Sequence, residues 1–360
     1  MNQIFNVIGT MSGTSFDGVD ISLAKTNGDD HFEILYNLYE PFNKDTQDNL
    51  KLLKSKINKT NDIEDLKNTS LYSTVNEQVT NLHTKLIKQA ILKSKDQINL
   101  IGFHGITLYH NAKDKFTFQM GDIDKIYKEL KIPLVYNFRQ NDLDHGGQGA
   151  PLTPIFHQFI LNQLKNKQTH FDGVVNIGGI SNISYFQNKK LYATDIGPGN
   201  CLIDSWCKEY FNVDFDKDGL LSASSKPDLI TANNFIDRFT FNKNISYDFN
   251  DFSISEFRNL EKDMGIATLS FITANLIISF LNEKKLNKVL VSGGGRKNKS
   301  IMNYLGERAV NIDEVDFDGD FTESQAFAYL AARSQNNLPL TFPETTGVEK
   351  PVTGGVIKKV

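Results

Sequence analysis

The chain has 360 residues, 39 of them basic and 43 acidic, for a net charge of −4 and a pI near 6.0. At roughly 150 residues per domain this is two to three domains, with two around a cleft as the simplest arrangement. The absence of any run of like charges argues against nucleic acid or an anionic membrane as a partner.

Only six of the basic residues are arginine, which makes each one notable, because Arg grips carboxylates and phosphates in a way that Lys does not. Cys201 and Cys207 fall on different faces of a helix, out of disulfide reach, which fits a reduced, cytoplasmic compartment. The opening MNQIFNVIGT lacks the basic stretch of a signal peptide.

Residues 4–40 read as three strands, IFNVIGT, DGVDISLAKT and FEILYNLYEPF, with MSGTSF turning between the first two. Residues 44–96 are polar and helical, with Val75, Val79, Leu82, Leu86 and Ala90 as one buried stripe. A strand (NLIGFHG), a short strand (FTFQ), a helix from Asp122, a strand (PLVYNF), a glycine-rich loop (HGGQGAP) and a helix from Pro154 follow. Near residue 172 the pattern restarts. GVVNIGGISNISYFQ and LYATDIG repeat the layout of VIGTMSGTSFDGVDISLA, with Gly9 and Gly178 each ending the first strand of a meander. Either the α/β half is duplicated or two hairpins are alike by chance.

Helices are expected at 200–210 and 226–239. The most apolar window, Met264 to Leu281, is long enough to span a membrane. Thr268, Ser270, Thr273, Asn275 and Ser279 dilute it, so it reads as a buried helix. A strand (KVLVSGGG), a helix from Asn298, a strand (RAVNID) and a helix over Thr322–Arg333 complete the second half. The tail from Leu338 carries Pro339, Pro343 and Pro351 and cannot be a long helix.

Three loops place backbone N–H groups at strand ends: Gly13-Thr14-Ser15, Gly178-Gly179-Ile180-Ser181-Asn182 and Ser292-Gly293-Gly294-Gly295. Such loops either approach phosphate oxygens closely or serve as plain turns. Asp17 fits holding Mg²⁺ through water or satisfying its own turn. Asp195, in TDIGPGN, fits a general base on a rigid loop or a helix cap. His104, Arg139 and Glu323 lie at strand or helix ends, where α/β folds place ligand sites, although each also has an ordinary structural reading.

The strings GTMSGTSFDGVD, GFHG, TFQMGD, NFR with GGQGAPLTP, NIGGISNIS, TDIGPGN, SGGG with Asn298, and the helix led by Glu323 occur in order over nearly the whole chain. Together they resemble the anhydro-N-acetylmuramic acid kinase family. The resemblance implies an α/β protein of two duplicated actin-like ATPase (ribonuclease H-like) domains with a nucleotide and sugar cleft between them. Residues 1–155, with the tail at about 337–360, would form the first domain and 156–336 the second.

It also implies ATP-dependent conversion of 1,6-anhydro-N-acetylmuramic acid to N-acetylmuramic acid 6-phosphate in peptidoglycan recycling. Carried over by motif, Gly13, Thr14, Ser15, Phe16, Asp17, Gly18, Val19 and Asp20 contact ATP, with Mg²⁺ at Asp17. Gly178, Gly179, Ser181, Asn182, Gly293, Gly294, Gly295 and Asn298 hold phosphate and nucleoside. Asp195 is the base, and His104, Gln119, Arg139, Gly197 and Glu323 bind the sugar, Arg139 taking its lactyl carboxylate. The chain departs from the family pattern at Ile106, Ala112, Asp144-His145 and Arg296-Lys297. A cytoplasmic homodimer is expected. The other readings are a kinase for an ordinary sugar hydroxyl and a nucleotide-driven actin-like or chaperone-like binding protein.

Overall fold

The computed structural model describes residues 2–241 and 247–359. The chain divides into two units, Met1–Phe159 with Phe321–Val360, and Ile160–Asp320.

The first unit opens with the antiparallel meander read from the sequence: β1 (Phe5–Ser12), β2 (Gly18–Thr26) and β3 (Phe32–Pro41). Helices α1 (Lys44–Ser55), α2 (Asn61–Lys67) and α3 (Ser70–Lys93) follow. Asn43 caps α1 by accepting from Thr46 N–H, and Thr69 caps α3 by accepting from Tyr72 N–H. Val75, Val79, Leu86 and Ala90 are buried as the stripe required, with Leu82 partly so. Then come β4 (Leu100–Asn111), β5 (Phe116–Met120), α4 (Ile123–Leu130), β6 (Leu134–Tyr136), α5 (Gln140–Asp144) and α6 (Pro154–Asn166). The division between the units falls within α6.

The second unit repeats the meander as β7 (Gly173–Ile177), β8 (Ile180–Gln187) and β9 (Lys190–Pro198). It continues through α7 (Cys201–Trp206), α8 (Leu229–Arg238), α9 (Lys262–Lys284), β10 (Val289–Ser292), α10 (Lys299–Leu305) and β11 (Ala309–Asn311). Helix α9 is long and apolar enough to cross a membrane, but 72% of its apolar window is buried, so it is a core helix. Gly265 lets α9 meet the Trp206 indole, which a Cβ would approach to 2.0 Å. Both cysteines are buried and free.

The chain ends in the first unit with α11 (Thr322–Gln335), α12 (Pro343–Thr346) and β12 (Val356–Lys358), which pairs with β6.

Both units share one frame. The sheets run β12-β6-β4-β1-β2-β3 and β11-β10-β7-β8-β9, with β5 beside β4. In each, the first strand pairs antiparallel with the second and parallel with a later strand, β4 or β10. That later strand pairs parallel with β6 or β11. Two hairpins alike by chance would not reproduce five strands in one order and one set of directions, so the duplicated α/β frame is real.

Two expectations are corrected. Gly178 directly follows β7, but Gly9 does not end β1, which runs on to Ser12 with Gly9 paired to Gly102 of β4. The residues that follow the two first strands are Gly13 and Gly178. Helix α11, expected in the second domain, lies in the first unit. The reason is the glycine pair: a Cβ on Gly9 would stand 2.1 Å from the Ser324 carbonyl oxygen, and one on Gly102 would stand 2.4 Å from that of Phe327. The sheet presents bare backbone there, and α11 rests on it.

Gly9→Ala should therefore lower stability by about 1–3 kcal/mol, read as a reduced denaturant midpoint. Gly294→Ala, whose Cβ would meet nothing within 4 Å, should leave the midpoint within error. Equal midpoints for the two variants would remove the close approach as the determinant of α11 docking.

Candidate active site

In the first unit the turn between β1 and β2 is built on its own backbone. Phe16 N–H donates to the Gly13 carbonyl at 3.1 Å, and Phe16 holds a left-handed φ of 59°. A bulky residue there is strained, which is tolerated when its side chain is locked. Phe16 is buried at 2% exposure, so it can offer a ligand only backbone. Thr14, Ser15 and Asp17 are exposed.

Asp17 Oδ1 accepts from Ser15 Oγ at 2.8 Å and from Gly18 N–H at 3.1 Å, so both turn bonds fall on one carboxylate oxygen. Gly18 and Val19 belong to β2, and the Val19 side chain lies in the core. Asp20 pairs across to Met11 and Tyr39. Strand alternation thus ends the exposed part of this loop at Asp17. His83, unflagged by the sequence, faces Ser12 Oγ at 3.4 Å and donates to the Val79 carbonyl at 2.9 Å. Burial lowers its pKa to about 4, so it is neutral.

His104 and Arg139 meet. The Arg139 Nε and one terminal nitrogen both donate to His104 Nε2, at 3.2 and 3.0 Å, and the other terminal nitrogen donates to the Gly149 carbonyl at 2.9 Å. The partners assign the tautomer: Nδ1 carries the proton, donating to the Gly105 carbonyl at 2.9 Å, and Nε2 accepts. Burial, with the Arg139 charge added, holds the His104 pKa well below the ordinary value, so the imidazole stays neutral. Burial also lowers Arg139 to about 10, against the opposing charges of Glu323 and Asp142; it remains a cation at neutral pH. Three of five guanidinium N–H groups are used in these bonds, leaving one on each terminal nitrogen, the pattern a carboxylate accepts.

Glu323, near the start of α11, is exposed at its surface yet set among protein. Desolvation raises its pKa, Arg139 opposes this and Asp17 adds to it. Phe327, one helical turn along, packs its ring 4.4 Å from that of His104. Gln119 donates to Thr117 Oγ1 at 2.7 Å and to Thr107 Oγ1 at 3.3 Å. It belongs to a side-chain chain that runs through Thr117 to His110 rather than to the pair of His104 and Arg139.

In the second unit, Asp195 lies in β9 where the pairing with β8 slips. Ser181 faces Gly197 and Asn182 faces Asp195, so Ile196 is the extra residue. Bulges of this kind re-aim a side chain. Ile196 is fully buried, while Asp195 is half-buried and its Oδ2 accepts from Tyr247 N–H at 2.9 Å. Burial raises the pKa of the Tyr247 phenol, and the charges of Asp195 and Asp251 raise it further.

The glycine turn is stitched to TDIGPGN: Gly199 and Cys201 N–H donate to the Gly179 carbonyl, and Asn200 N–H donates to that of Gly178. Thr273 of α9 donates to the Gly199 carbonyl at 2.8 Å, which gives one of the polar residues of that apolar helix a task. Ser181 Oγ is buried and has no hydrogen-bond partner among the described residues. Gly197, expected beside the sugar, lies against Phe239, whose ring a Cβ would approach to 2.8 Å.

The third loop is braced by Arg296. Arg296 is buried at 4% exposure. It pairs with Asp313 at 2.9 Å and Asp320 at 3.0 Å, and donates to the Gly293 carbonyl at 3.1 Å. Burial pushes the Asp320 carboxyl up, but Lys297 and Arg296 outweigh it and leave its pKa lowered. Gly293 has a φ of 77°, and a Cβ there would strike Asn176 Oδ1 at 2.3 Å. Asn298 is buried and caps α10 by accepting from Ile301 N–H at 3.1 Å. Its side chain therefore supports the loop and is not turned to a ligand.

A family profile described as anhydro-N-acetylmuramic acid kinase matches residues 5–359. A curated protein of that name from Pelagibacter ubique is 38% identical, covering all of both chains. Another from Brucella suis is 36% identical over 99% of each. Among solved structures, the activator of the 2-hydroxyisocaproyl-CoA dehydratase from Clostridium difficile is similar at a TM-score of 0.42 and 12% identity, covering 94% of this chain and 98% of that one.

Asp204 of α7 is a perturbed group that no motif signalled. Burial pushes its carboxyl up to about 7, Lys208 opposes this, and Asp214 and Asp216 add to it. The folded protein thus holds that proton more tightly than the unfolded chain does, so raising the pH from about 4 to 7 costs stability through this group. Asp204→Asn should remove the loss. Its stability relative to the parent should grow across that window and level off above pH 7 in denaturant titrations. Parallel pH profiles would contradict the burial of the charge.

Proposed function

This chain belongs to the anhydro-N-acetylmuramic acid kinase family, and from that premise we propose that it uses ATP and water to open the 1,6-anhydro ring of 1,6-anhydro-N-acetylmuramic acid. The product is N-acetylmuramic acid 6-phosphate, in the recycling of peptidoglycan. The observation that carries this reading is Asp195: a half-buried carboxylate re-aimed by a strand bulge, held by a backbone N–H and set beside a glycine turn.

Asp195 takes a proton from water, and the resulting hydroxide bonds to the anomeric carbon. The bond from that carbon to the bridging oxygen breaks. The oxygen leaves as O6, takes the γ-phosphoryl group and releases ADP, and the proton on Asp195 passes to solvent. An inverting glycosidase needs a second carboxylic acid for its leaving oxygen. Here the phosphoryl group accepts that oxygen, so one carboxylate suffices.

Backbone N–H groups at Gly13–Ser15, Gly178–Gly179 and Gly293–Gly295 suit the phosphates. Asp17 fits Mg²⁺: it is exposed, with both turn bonds on Oδ1. No cluster of three His, Cys, Asp or Glu able to hold a metal occurs among the described residues. Mg²⁺ bound through one carboxylate, water and substrate phosphates needs none, and it supplies charge neutralisation at the phosphates. Arg139 receives the lactyl carboxylate on its two remaining N–H groups, and His104, held neutral, sets the plane of the guanidinium. Glu323 serves a sugar hydroxyl or the amide, a role its charge coupling to Arg139 supports. The cytoplasmic homodimer belongs to the same proposal. Two buried free cysteines fit a reducing compartment, and the exposed Val213, Phe215, Leu220, Leu229 and Ile230 offer a second copy apolar surface.

Turnover in ¹⁸O-water should place label at C1 of a 6-phosphorylated product by mass spectrometry; intact anhydrosugar in the presence of bound ATP would refute the activity. Asp195→Asn should abolish turnover and keep ATP affinity, and a wild-type rate would remove Asp195 as the base. Arg139→Ala should raise the sugar KM by about 100-fold, the scale of a lost charged pair, with an unchanged KM excluding the lactyl role.

A further inference from the structure

The guanidinium of Arg139 is only as well placed as the Gly149 carbonyl that holds it. Gly149 sits in the loop HGGQGAP with a left-handed φ of 70°, a conformation that glycine permits but does not by itself enforce. Its anchor is Asp142, 2% exposed. Asp142 Oδ2 accepts from Gly149 N–H at 2.6 Å, and Oδ1 accepts from Thr346 Oγ1 at 2.7 Å. The same Thr346 accepts on its carbonyl from Gln148 N–H at 2.9 Å.

Thr346 is buried and ends α12, a short turn closed by Gly347. The C-terminal segment therefore holds the loop directly through the Thr346 backbone and indirectly through Asp142, 204 residues away in sequence. His110 supplies a third hold, donating to the Gln148 carbonyl at 2.8 Å.

We propose that Thr346 is a positioning residue for Arg139. Its hydroxyl orients the Asp142 carboxylate, which fixes Gly149, whose carbonyl sets the guanidinium for the acid group of the sugar. The inference rests on Arg139 as the carboxylate partner. Its consequence is selective. Loss of the hydroxyl loosens binding of the acidic sugar and leaves Asp195 and the phosphate loops untouched, so KM moves and kcat does not.

The test is a kinetic cycle of Thr346→Val, Arg139→Ala and the double variant, with Thr346→Ser as the conservative replacement and thermal melting to establish that each is folded. Thr346→Val should raise the sugar KM about tenfold, the equivalent of one hydrogen bond to a charged group, with kcat within about twofold. Thr346→Ser should restore KM. In the Arg139→Ala background Thr346→Val should add nothing, because the group it positions is gone. A raised KM for Arg139→Ala together with a parental KM for Thr346→Val overturns the positioning role alone. A parental KM for Arg139→Ala overturns the carboxylate reading on which it rests. A KM rise from Thr346→Val that persists undiminished in the double variant, or that Thr346→Ser fails to reverse, also overturns the proposal.

Discussion

Helix α11 lies on the first unit's sheet at van der Waals contact with backbone, at a point where two paired strands both carry glycine. Gly9 and Gly102 face each other in the parallel pair of β1 and β4, and any side chain at either would overlap the helix backbone. Much of the first unit's site follows from this contact. Glu323 and Phe327 ride on α11, Phe327 packs on His104, and His104 receives Arg139. A small displacement of the helix would move the acidic group and the ring that backs the imidazole together. Because packed interiors are close to solid density, even one added methyl at this contact is felt.

Glycine-containing loops of both units are held by polar side chains. Thr273 of the core helix takes the Gly199 carbonyl, Arg296 takes that of Gly293, and Asp142 takes the Gly149 N–H. Glycine allows close approach, and a side chain bonded to its backbone removes the freedom that comes with it. The Arg296 cluster shows the electrostatic side of the arrangement. A guanidinium is buried beside two half-exposed carboxylates, and loss of both would leave its charge uncompensated. Arg296, read in the sequence as unlike the motif it follows, braces the loop.

Much of the architecture was legible in the chain. Strand alternation marked both meanders, 3.6-residue spacing marked α3, small polar residues distinguished α9 from a membrane span, and the repeated layout announced the duplication. These signals are local, depending on residues a few positions apart. Gly9 shows where local reading stops. In sequence it reads as the end of the first strand, but its reason is a helix more than 300 residues further along. Val19 and Asn298 show the same limit: a motif names a string, while strand alternation and helix capping decide which of its side chains remain available. Asp142, Thr346 and Tyr247 carried no signal at all, and Thr273 marked a buried helix without announcing the carbonyl it holds.

From sequence alone came the family resemblance, the α/β class, the two-fold repeat and the types of group the chemistry needs, because periodicity and motif strings are properties of the chain taken in order. Only the tertiary structure decided which of those groups are usable and in what state. His104 is neutral because burial and a cation depress its pKa. Asp195 is presented by a register slip between two strands. Arg139 is aimed by a carbonyl whose support reaches back from the C-terminal segment. Protonation, register and long-range hydrogen bonding depend on distances in space, and a sequence orders residues without fixing those distances.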